Sequence, residues 1–303
     1  MIAPMRDVAP ARLAGDRRRW LERLAVAARR IRRRSDPESV HDVRVATRQL
    51  EACLDLWRSS LPRRERRRAR RALAALRRDL GPAREVRISL NLLRERLAAL
   101  PPDARVAAAP LEGFLQERLE RLEARAARRC TKRKIARVCR RVELAWEGVV
   151  LDVESEASFL EAGRTRLAER RRRAQAALRE AARGPASEVL HSARVAAKRW
   201  RYTLERLAAT DGSTELSERP WLMGVQETLG RIQDLAVLHQ RAMRLSPRLA
   251  PAECEVASEP MRSLLGSFEI EREEFVRKFY RLAASGPGPP PVAGRATSRG
   301  RAV

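Results

Sequence analysis

Two segments of the chain carry a histidine followed by cationic side chains at helical spacing. The first segment reads VHDVRVATRQLEACLDLW from Val40, and the second reads LHSARVAAKRWRYTLERL from Leu190. In both, cationic residues stand three and seven positions after the histidine, giving His41, Arg44 and Arg48 in the first and His191, Arg194 and Lys198 in the second. On an α-helix these positions share one face. Guanidinium, ammonium and protonated imidazole groups gathered there could donate several hydrogen bonds to phosphate oxygens.

The helices that would position these groups are amphipathic. Apolar residues recur on the opposite face of each segment, at Val43, Ala46, Leu50, Leu54 and Trp57 and again at Ala193, Ala196, Trp200, Leu204 and Leu207. This pattern predicts a helix with an apolar back packed into a core and a basic front. A solvated charged face would explain one such segment. Two segments in the same phase favour a shared binding role.

The rest of the chain predicts an all-α protein. Ala, Leu, Arg and Glu dominate, and no stretch alternates apolar and polar residues for long enough to form a strand. Breaks rich in proline and glycine divide the chain into eight predicted helices, at 11–34, 38–60, 63–99 with a break at Gly81-Pro82, 111–147, 156–183, 186–209, 218–245 and 253–283.

A second pair of similar segments indicates an internal duplication. LGPAREVRISL from Leu80 matches LGRIQDLAVLH from Leu229 at an offset of 149 residues, and the histidine segments are offset by 150. Two matches in the same order at nearly one offset favour a repeated four-helix unit. The first unit is predicted at 12–150 and the second at 155–283. The segment 285–303, rich in Gly, Pro and Arg, is predicted to be a disordered basic tail.

The net charge indicates a polyanionic partner. It is +26, with an isoelectric point near 11.5, and of the 65 basic residues only four are lysine, so 61 are arginine. A GC-rich genome would explain the preference for arginine over lysine, but not the excess of charge. The partners that could neutralise it are nucleic acid, an anionic membrane surface or another polyanion. The planar guanidinium fork binds phosphate oxygens two at a time, which suits a phosphate-rich partner.

The cysteines and the N-terminal residues indicate the cellular compartment in which the protein is expected. The four cysteines form no CxxC pair and lie in helical patterns, so we expect buried thiols in a reducing environment, at Cys53, Cys130, Cys139 and Cys254. The N-terminal residues contain no apolar signal segment, and no apolar run has the length of a membrane span. We therefore expect a soluble cytoplasmic protein without membrane contact.

The repeated segments together resemble the CHAD domain, whose name stands for conserved histidine α-helical domain. The resemblance rests on VHDVRVATRQL, LHSARVAAKRWRYTLE, LGPARE and LGRIQDLAVL, and it extends over about residues 12–283. It implies two four-helix bundles related by pseudo-twofold symmetry, and binding of inorganic polyphosphate along a basic groove or central pore between them. Carried over position by position, it implicates His41, Arg44, Arg48, His191, Arg194, Lys198, Arg201 and Tyr202.

The first half departs from the family pattern at two places. Glu51 stands where the family usually has a basic residue and where the second half has Arg201, and Glu85-Val86-Arg87 replaces a frequent Asp-x-Asp pattern. We expect Glu51 either to pair with Arg48 or to repel an approaching phosphate. Either effect would weaken the first half of the site.

Three further basic runs have different interpretations. RRCTKRKIARVCRR from Arg128 places Arg133 and Arg137 near one face of a helix. We include both as candidate polyphosphate-binding residues, beside the alternative of a solvated face. RRERRRARR from Arg63 and RRRR from Arg170 are interpreted as solvated surface.

Catalysis has little support in the sequence. His41-Asp42 could suggest a metal site of the HD type, but no third histidine or paired aspartate follows at helical spacing. VESEAS at Val153 lacks the lysine of a triphosphatase ExExK signature. We expect a non-enzymatic polyphosphate-binding protein with no catalytic residue, no cofactor and no bound metal.

Two alternatives to this prediction stay open. One is a non-specific nucleic-acid-binding protein that acts through charge, although the chain has only twelve aromatic residues, most of them in apolar phases, for stacking on bases. The other is a structural coat or adaptor on polyphosphate granules.

Overall fold

The computed structural model describes residues 8–33, 38–147, 149, 153–211, 216–249 and 255–287. These residues form nine α-helices and no strand, which confirms the all-α prediction. The helices are α1 Val8–Arg33, α2 Ser39–Leu56, α3 Arg63–Arg96, α4 Pro102–Arg129, α5 Lys132–Leu144, α6 Val153–Arg183, α7 Ser187–Asp211, α8 Arg219–Leu249 and α9 Glu255–Ser285. The predicted tail from position 288 onward and Cys254 lie outside the described residues. Within the described ranges, no helix combines the length and hydropathy that crossing a bilayer requires.

The predicted helix at 111–147 is wrong in its start and in its continuity. α4 begins earlier, at Pro102, because a proline in the first turn lacks only a hydrogen bond that would not form there. The helix then ends before Cys130, and Thr131 is the N-cap of α5. The hydroxyl of Thr131 accepts a hydrogen bond from the backbone N–H of Lys134 at 3.2 Å. A threonine ahead of an amphipathic run is a recognisable start signal that separates the two helices.

α3 runs unbroken through Pro82, so the predicted break at Gly81-Pro82 is wrong. A proline in a helix interior removes one backbone hydrogen bond and costs about 3 kcal/mol. The residues around it, Leu80, Ala83 and Val86, bury their side chains in the core and are at most 2 % exposed. Burial of this apolar face offsets the cost of the proline and keeps the helix in one piece.

Three apolar clusters hold the helices together. The first lies among α1, α2, α5 and the adjoining ends of α3 and α4, and the third lies among α6, α7, α8 and the end of α9. The second combines α3 and α4 with α8 and α9, so apolar side chains from before and after the predicted boundary share one cluster. The two halves of the chain are therefore joined by a common core, and their division into two units stays a prediction.

α2 and α7 contain the two histidine segments, and a similar contact occurs beside each. A β-carbon added to Gly81 of α3 would lie 3.7 Å from Nη1 of Arg44, and one added to Gly230 of α8 would lie 3.8 Å from Nε of Arg194. The two glycines and the two arginines occupy equivalent positions in the repeated segments. The internal duplication stays an interpretation of the sequence, and this repeated contact agrees with it.

Candidate functional site

The motif helices α2 and α7 bury their apolar faces. Val43, Leu50 and Leu54 of α2 are fully buried, as are Ala197 and Trp200 of α7. Burial of these side chains sets the rotation of each helix, so its basic face is directed away from the apolar clusters. α2 and α7 also contact each other, which brings the two basic faces together.

A cavity of about 640 Å³, termed the first cavity, lies among α2, α3, α7 and α8. Six of the predicted binding residues line it, three from each motif helix: His41, Arg44, Arg48, His191, Arg194 and Lys198. Two further cations come from the helices that follow, Arg84 of α3 and Arg231 of α8. Four carboxylates also line the cavity, at Glu85, Glu95, Glu227 and Asp234. The fold therefore brings together motif residues that are 150 positions apart in the sequence.

The two equivalent arginines of the motifs are partly buried at the wall of the first cavity. Nη1 of Arg44 donates a hydrogen bond to the carbonyl oxygen of Arg77 at 2.9 Å, which holds the side chain against α3. Burial and the neighbouring Arg48 lower the pKa of Arg44 to about 10. Burial also lowers the pKa of Arg194, although Asp234 opposes this effect. Nε of Arg194 is buried without a hydrogen-bond partner among the described residues.

Lys198 lies where cationic side chains from both motif helices meet. Burial, followed by the charges of Arg194 and Arg48, lowers the pKa of Lys198 to about 7. Its ammonium group is therefore only partly protonated at neutral pH in the free protein. Burial likewise lowers the pKa of His41, with Arg84 as the next cause. The free protein holds these groups at an electrostatic cost that a polyanion would relieve.

A second cavity, of about 520 Å³, lies among α2, α3, α6 and α7. It shares Arg48 and Lys198 with the first cavity, so the two cavities meet at these side chains. Seven further arginines line it: Arg58, Arg66, Arg70, Arg77, Arg166, Arg170 and Arg199. The interpretation of the run RRRR as solvated surface is therefore wrong for Arg170, whose side chain is 11 % exposed and pairs with Asp55. Arg66 and Arg70 of the run RRERRRARR also line the second cavity.

A signal for part of the second cavity is present in the sequence. Arg66, Arg70 and Arg77 are four and seven positions apart, so they share one face of α3, as the cations of the motif helices share a face. This helical spacing is hard to recognise in the sequence, because nearly every position in the surrounding run is basic.

The two cavities follow α2 and α7 in the same order. Along α2 the lining residues pass from His41 to Arg48 in the first cavity and onward in the second, and along α7 they pass from His191 to Lys198 and onward. α2 and α7 therefore point in the same direction past the two adjoining cavities, which are together termed the basic passage. The α2 residues from His41 to Asp55 alone span about 21 Å, at about 1.5 Å per residue.

The paired motif helices and the all-α fold agree with one known family. The family model for the CHAD domain matches residues 4–243. This chain belongs to the CHAD-domain family. The predicted family is therefore confirmed. Comparison with curated proteins found no match.

Two solved structures are similar to this CHAD domain. PptA from Streptomyces chartreusis is 19 % identical with a TM-score of 0.67, and the match covers 92 % of this chain and 100 % of that one. The CHAD domain from the plant Ricinus communis is also 19 % identical, with a TM-score of 0.66 and coverage of 93 % and 94 %. At this level of identity the likeness shows a shared fold.

Glu51 of this CHAD domain pairs with α3 rather than with its own helix. Its carboxylate lies 2.6 Å from Nη2 of Arg77 and 3.7 Å from Nε of Arg70. Of the two expected roles of Glu51, the pair with Arg48 is wrong, because two arginines of α3 lie within ion-pair distance instead. Glu51 therefore neutralises charge at the wall of the second cavity. Repulsion of an approaching phosphate stays a prediction.

Four predicted residues lie outside the first cavity. Tyr202 lines the second cavity, whereas Arg201 lines neither. The guanidinium of Arg201 lies 3.7 Å from Glu205, and it stacks on the ring of Tyr202 at 5.0 Å. Arg133 and Arg137 are exposed on α5, away from both cavities. In the described part of the chain, no group of three or more His, Cys, Asp or Glu side chains is placed to hold a metal ion.

Proposed function

We propose that this CHAD domain binds inorganic polyphosphate at the first cavity and does not alter it chemically. The observation that carries the proposal is the convergence of three cationic or imidazole side chains from each motif helix on the first cavity. Polyphosphate carries negative charge on every phosphate unit and presents neither a base nor an apolar group. A site for it needs several donors close together, and the motif arginines supply them in forked form.

The electrostatics of the free protein favour such a ligand. Burial and nearby like charges lower the pKa of Arg44 and of Lys198. A phosphate chain among these groups would raise their pKa values again, because it stabilises the protonated forms. Binding would therefore be accompanied by proton uptake near neutral pH and by release of counterions. We expect the affinity to fall with rising salt and with rising pH.

A competition experiment tests the proposal. Labelled long-chain polyphosphate is bound to the protein at fixed salt and displaced by unlabelled polyphosphate, or by duplex or single-stranded nucleic acid of matched total charge. We expect polyphosphate to displace the label at lower concentrations of charge than either nucleic acid. Stronger displacement by nucleic acid would overturn the proposal in favour of non-specific nucleic-acid binding.

A matched pair of variants separates the cavity from the net charge. Arg44→Gln with Arg194→Gln removes two charges from the first cavity, and Arg133→Gln with Arg137→Gln removes two from the exposed face of α5. Polyphosphate affinity should fall in the first variant and change little in the second. Equal losses would mean that net charge, not the cavity, determines binding.

The non-enzymatic part of the proposal has its own test. Polyphosphate recovered after incubation with the protein should keep its chain length, and shortening by the parent protein would overturn this part. A coat or adaptor role on polyphosphate granules would depend on the same binding and would use the same side chains.

A further inference from the structure

The second cavity is more strongly cationic than the first. Nine cationic side chains and two carboxylates line it, an excess of seven positive charges. Six cationic and four acidic side chains line the first cavity, an excess of two, with its histidines counted as neutral. The histidine motifs therefore do not mark the place where positive charge is most concentrated.

Two carboxylates hold part of this charge in place. Asp55 accepts hydrogen bonds from Arg166 at 2.9 Å and from Arg170 at 2.6 Å, and Glu51 lies 2.6 Å from Arg77. Burial raises the pKa of Asp55, but the hydrogen bonds from Arg166 and Arg170 outweigh burial and lower the pKa overall. The pairs with Asp55 keep Arg166 and Arg170 at the cavity wall before any ligand binds, which reduces the entropy lost on binding.

Other arginines of the second cavity have no such carboxylate. The ion pairs among the described residues leave Arg48, Arg58 and Arg199 without an acidic partner. A phosphate group that enters this cavity would therefore meet guanidinium groups whose donors are available, beside those that Asp55 and Glu51 hold.

We propose that the second cavity is a binding site of its own for short condensed phosphates, and that a long polyphosphate chain occupies both cavities at once. The inference rests on the proposed function for the class of ligand and adds a second site to it. Because the cavities adjoin at Arg48 and Lys198, a chain that occupies the first would reach the second past these two side chains. Occupation of one cavity then holds the chain close to the other, which raises the affinity for a long chain above that of either site alone.

Tripolyphosphate tests for separate sites, and long-chain polyphosphate tests for joint occupation. By calorimetric titration, the parent protein should bind two equivalents of tripolyphosphate. Arg58→Gln with Arg199→Gln should leave one equivalent and should weaken long-chain binding at least about tenfold. Both arginines are exposed, so the apolar clusters stay intact in this variant.

The α5 variant, Arg133→Gln with Arg137→Gln, is the control of equal charge. It should keep two equivalents of tripolyphosphate and nearly the affinity of the parent for the long chain. Equal losses in this control and in the second-cavity variant would overturn the second site.

Two further outcomes separate this inference from the proposed function. In the first, the parent binds only one equivalent of tripolyphosphate. If this equivalent is lost when Arg44 and Arg194 are replaced, but kept when Arg58 and Arg199 are replaced, the second site is overturned and the proposed function stands. A parent protein that binds neither tripolyphosphate nor the long chain would overturn the proposed function and this inference together.

Discussion

Replacement of Lys198 by methionine should remove most of the pH dependence of polyphosphate affinity between pH 7 and 9. Burial and neighbouring arginines lower the pKa of Lys198 to about 7 in the free protein. A phosphate chain at the junction of the two cavities would favour the ammonium form and return its pKa toward the ordinary value of about 10.4. The complex then holds a proton that the free protein has lost, so the affinity falls as the pH rises through this window.

The two pKa values set the size of the effect. With a pKa of about 7 in the free protein and about 10.4 in the complex, proton linkage weakens the affinity roughly 50-fold between pH 7 and 9, or about 2.3 kcal/mol. The window lies above the range in which His41 titrates in the free protein, because burial lowers the pKa of His41. The difference in pH slope between the parent and Lys198→Met isolates the contribution of Lys198.

The stability of the free protein should show the opposite trend. The unfolded chain keeps Lys198 protonated up to about pH 10.4, whereas the folded chain loses this proton near pH 7. The unfolded state therefore binds more protons between these values, and the contribution of Lys198 to the free energy of unfolding rises with pH. Lys198→Met should make the free protein more stable at pH 7 while it weakens binding.

Calorimetric titration with long-chain polyphosphate at pH 7, 8 and 9, together with thermal unfolding of each free protein, measures both trends. Lys132→Met removes an exposed lysine of α5 and is the matched control, which should keep the pH slope of the parent. The same slope in Lys198→Met and in the parent would refute the reasoning. So would a parent affinity that does not change from pH 7 to pH 9.

Three further sets of substitutions test other parts of the structure. Arg44→Ala with Arg194→Ala should weaken polyphosphate binding by about 1.5–3 kcal/mol for each arginine removed and should change the melting temperature little, whereas a large drop in melting temperature with intact affinity would make these arginines structural. Glu51→Gln should tighten binding roughly severalfold and steepen its salt dependence, because it releases two arginines of α3 from ion pairs, and unchanged affinity over a salt series would place the ligand outside the second cavity. Gly163→Ala should lower the free energy of unfolding by about 1–3 kcal/mol, because its β-carbon would lie 2.9 Å from a leucine of α7. Gly113→Ala adds a β-carbon in open space and should raise the free energy of unfolding by up to about 1 kcal/mol. Denaturant titrations measure both substitutions, and equal effects would contradict the packing of α6 on α7.

The fold could be predicted where one sequence pattern alone determines the structure. The apolar faces of the motif helices could be located from their period alone, since residues such as Leu50 and Trp200 had to be buried whichever helices they met. The helix boundaries were less predictable, because they depend on competing effects. Pro82 stays inside α3 because burial on both sides of it outweighs one missing hydrogen bond, and Thr131 separates two helices through a local cap.

The candidate site was predictable in its first cavity but not in its second. The His41 and His191 segments repeat in phase, and this repetition favoured a binding face over a solvated one. The second cavity takes its arginines from runs on α3 and α6, and which of them face inward depends on how those helices are rotated against α2. A run of identical charges carries little of that information. Glu51 shows the same limit, because its partner Arg77 lies on a different helix.

The basic passage concentrates like charges that only a well-packed scaffold can hold in place. Its cationic side chains on α2 and α7 stand near fully buried residues such as Leu50 and Trp200, so the packing of each helix in its cluster fixes the backbone positions that carry them. Burial of those apolar faces offsets the repulsion in the free protein, and a bound polyanion would reduce that repulsion. We expect polyphosphate to raise the melting temperature of the protein, by an amount that grows with the logarithm of the ratio of its concentration to its Kd. Because Lys198 is largely neutral at pH 9, the rise should be larger at pH 7 than at pH 9 when the same polyphosphate concentration is used at both. Thermal unfolding with and without polyphosphate at the two pH values measures this difference, and a larger rise at pH 9 would mean that the ligand does not contact the junction of the two cavities.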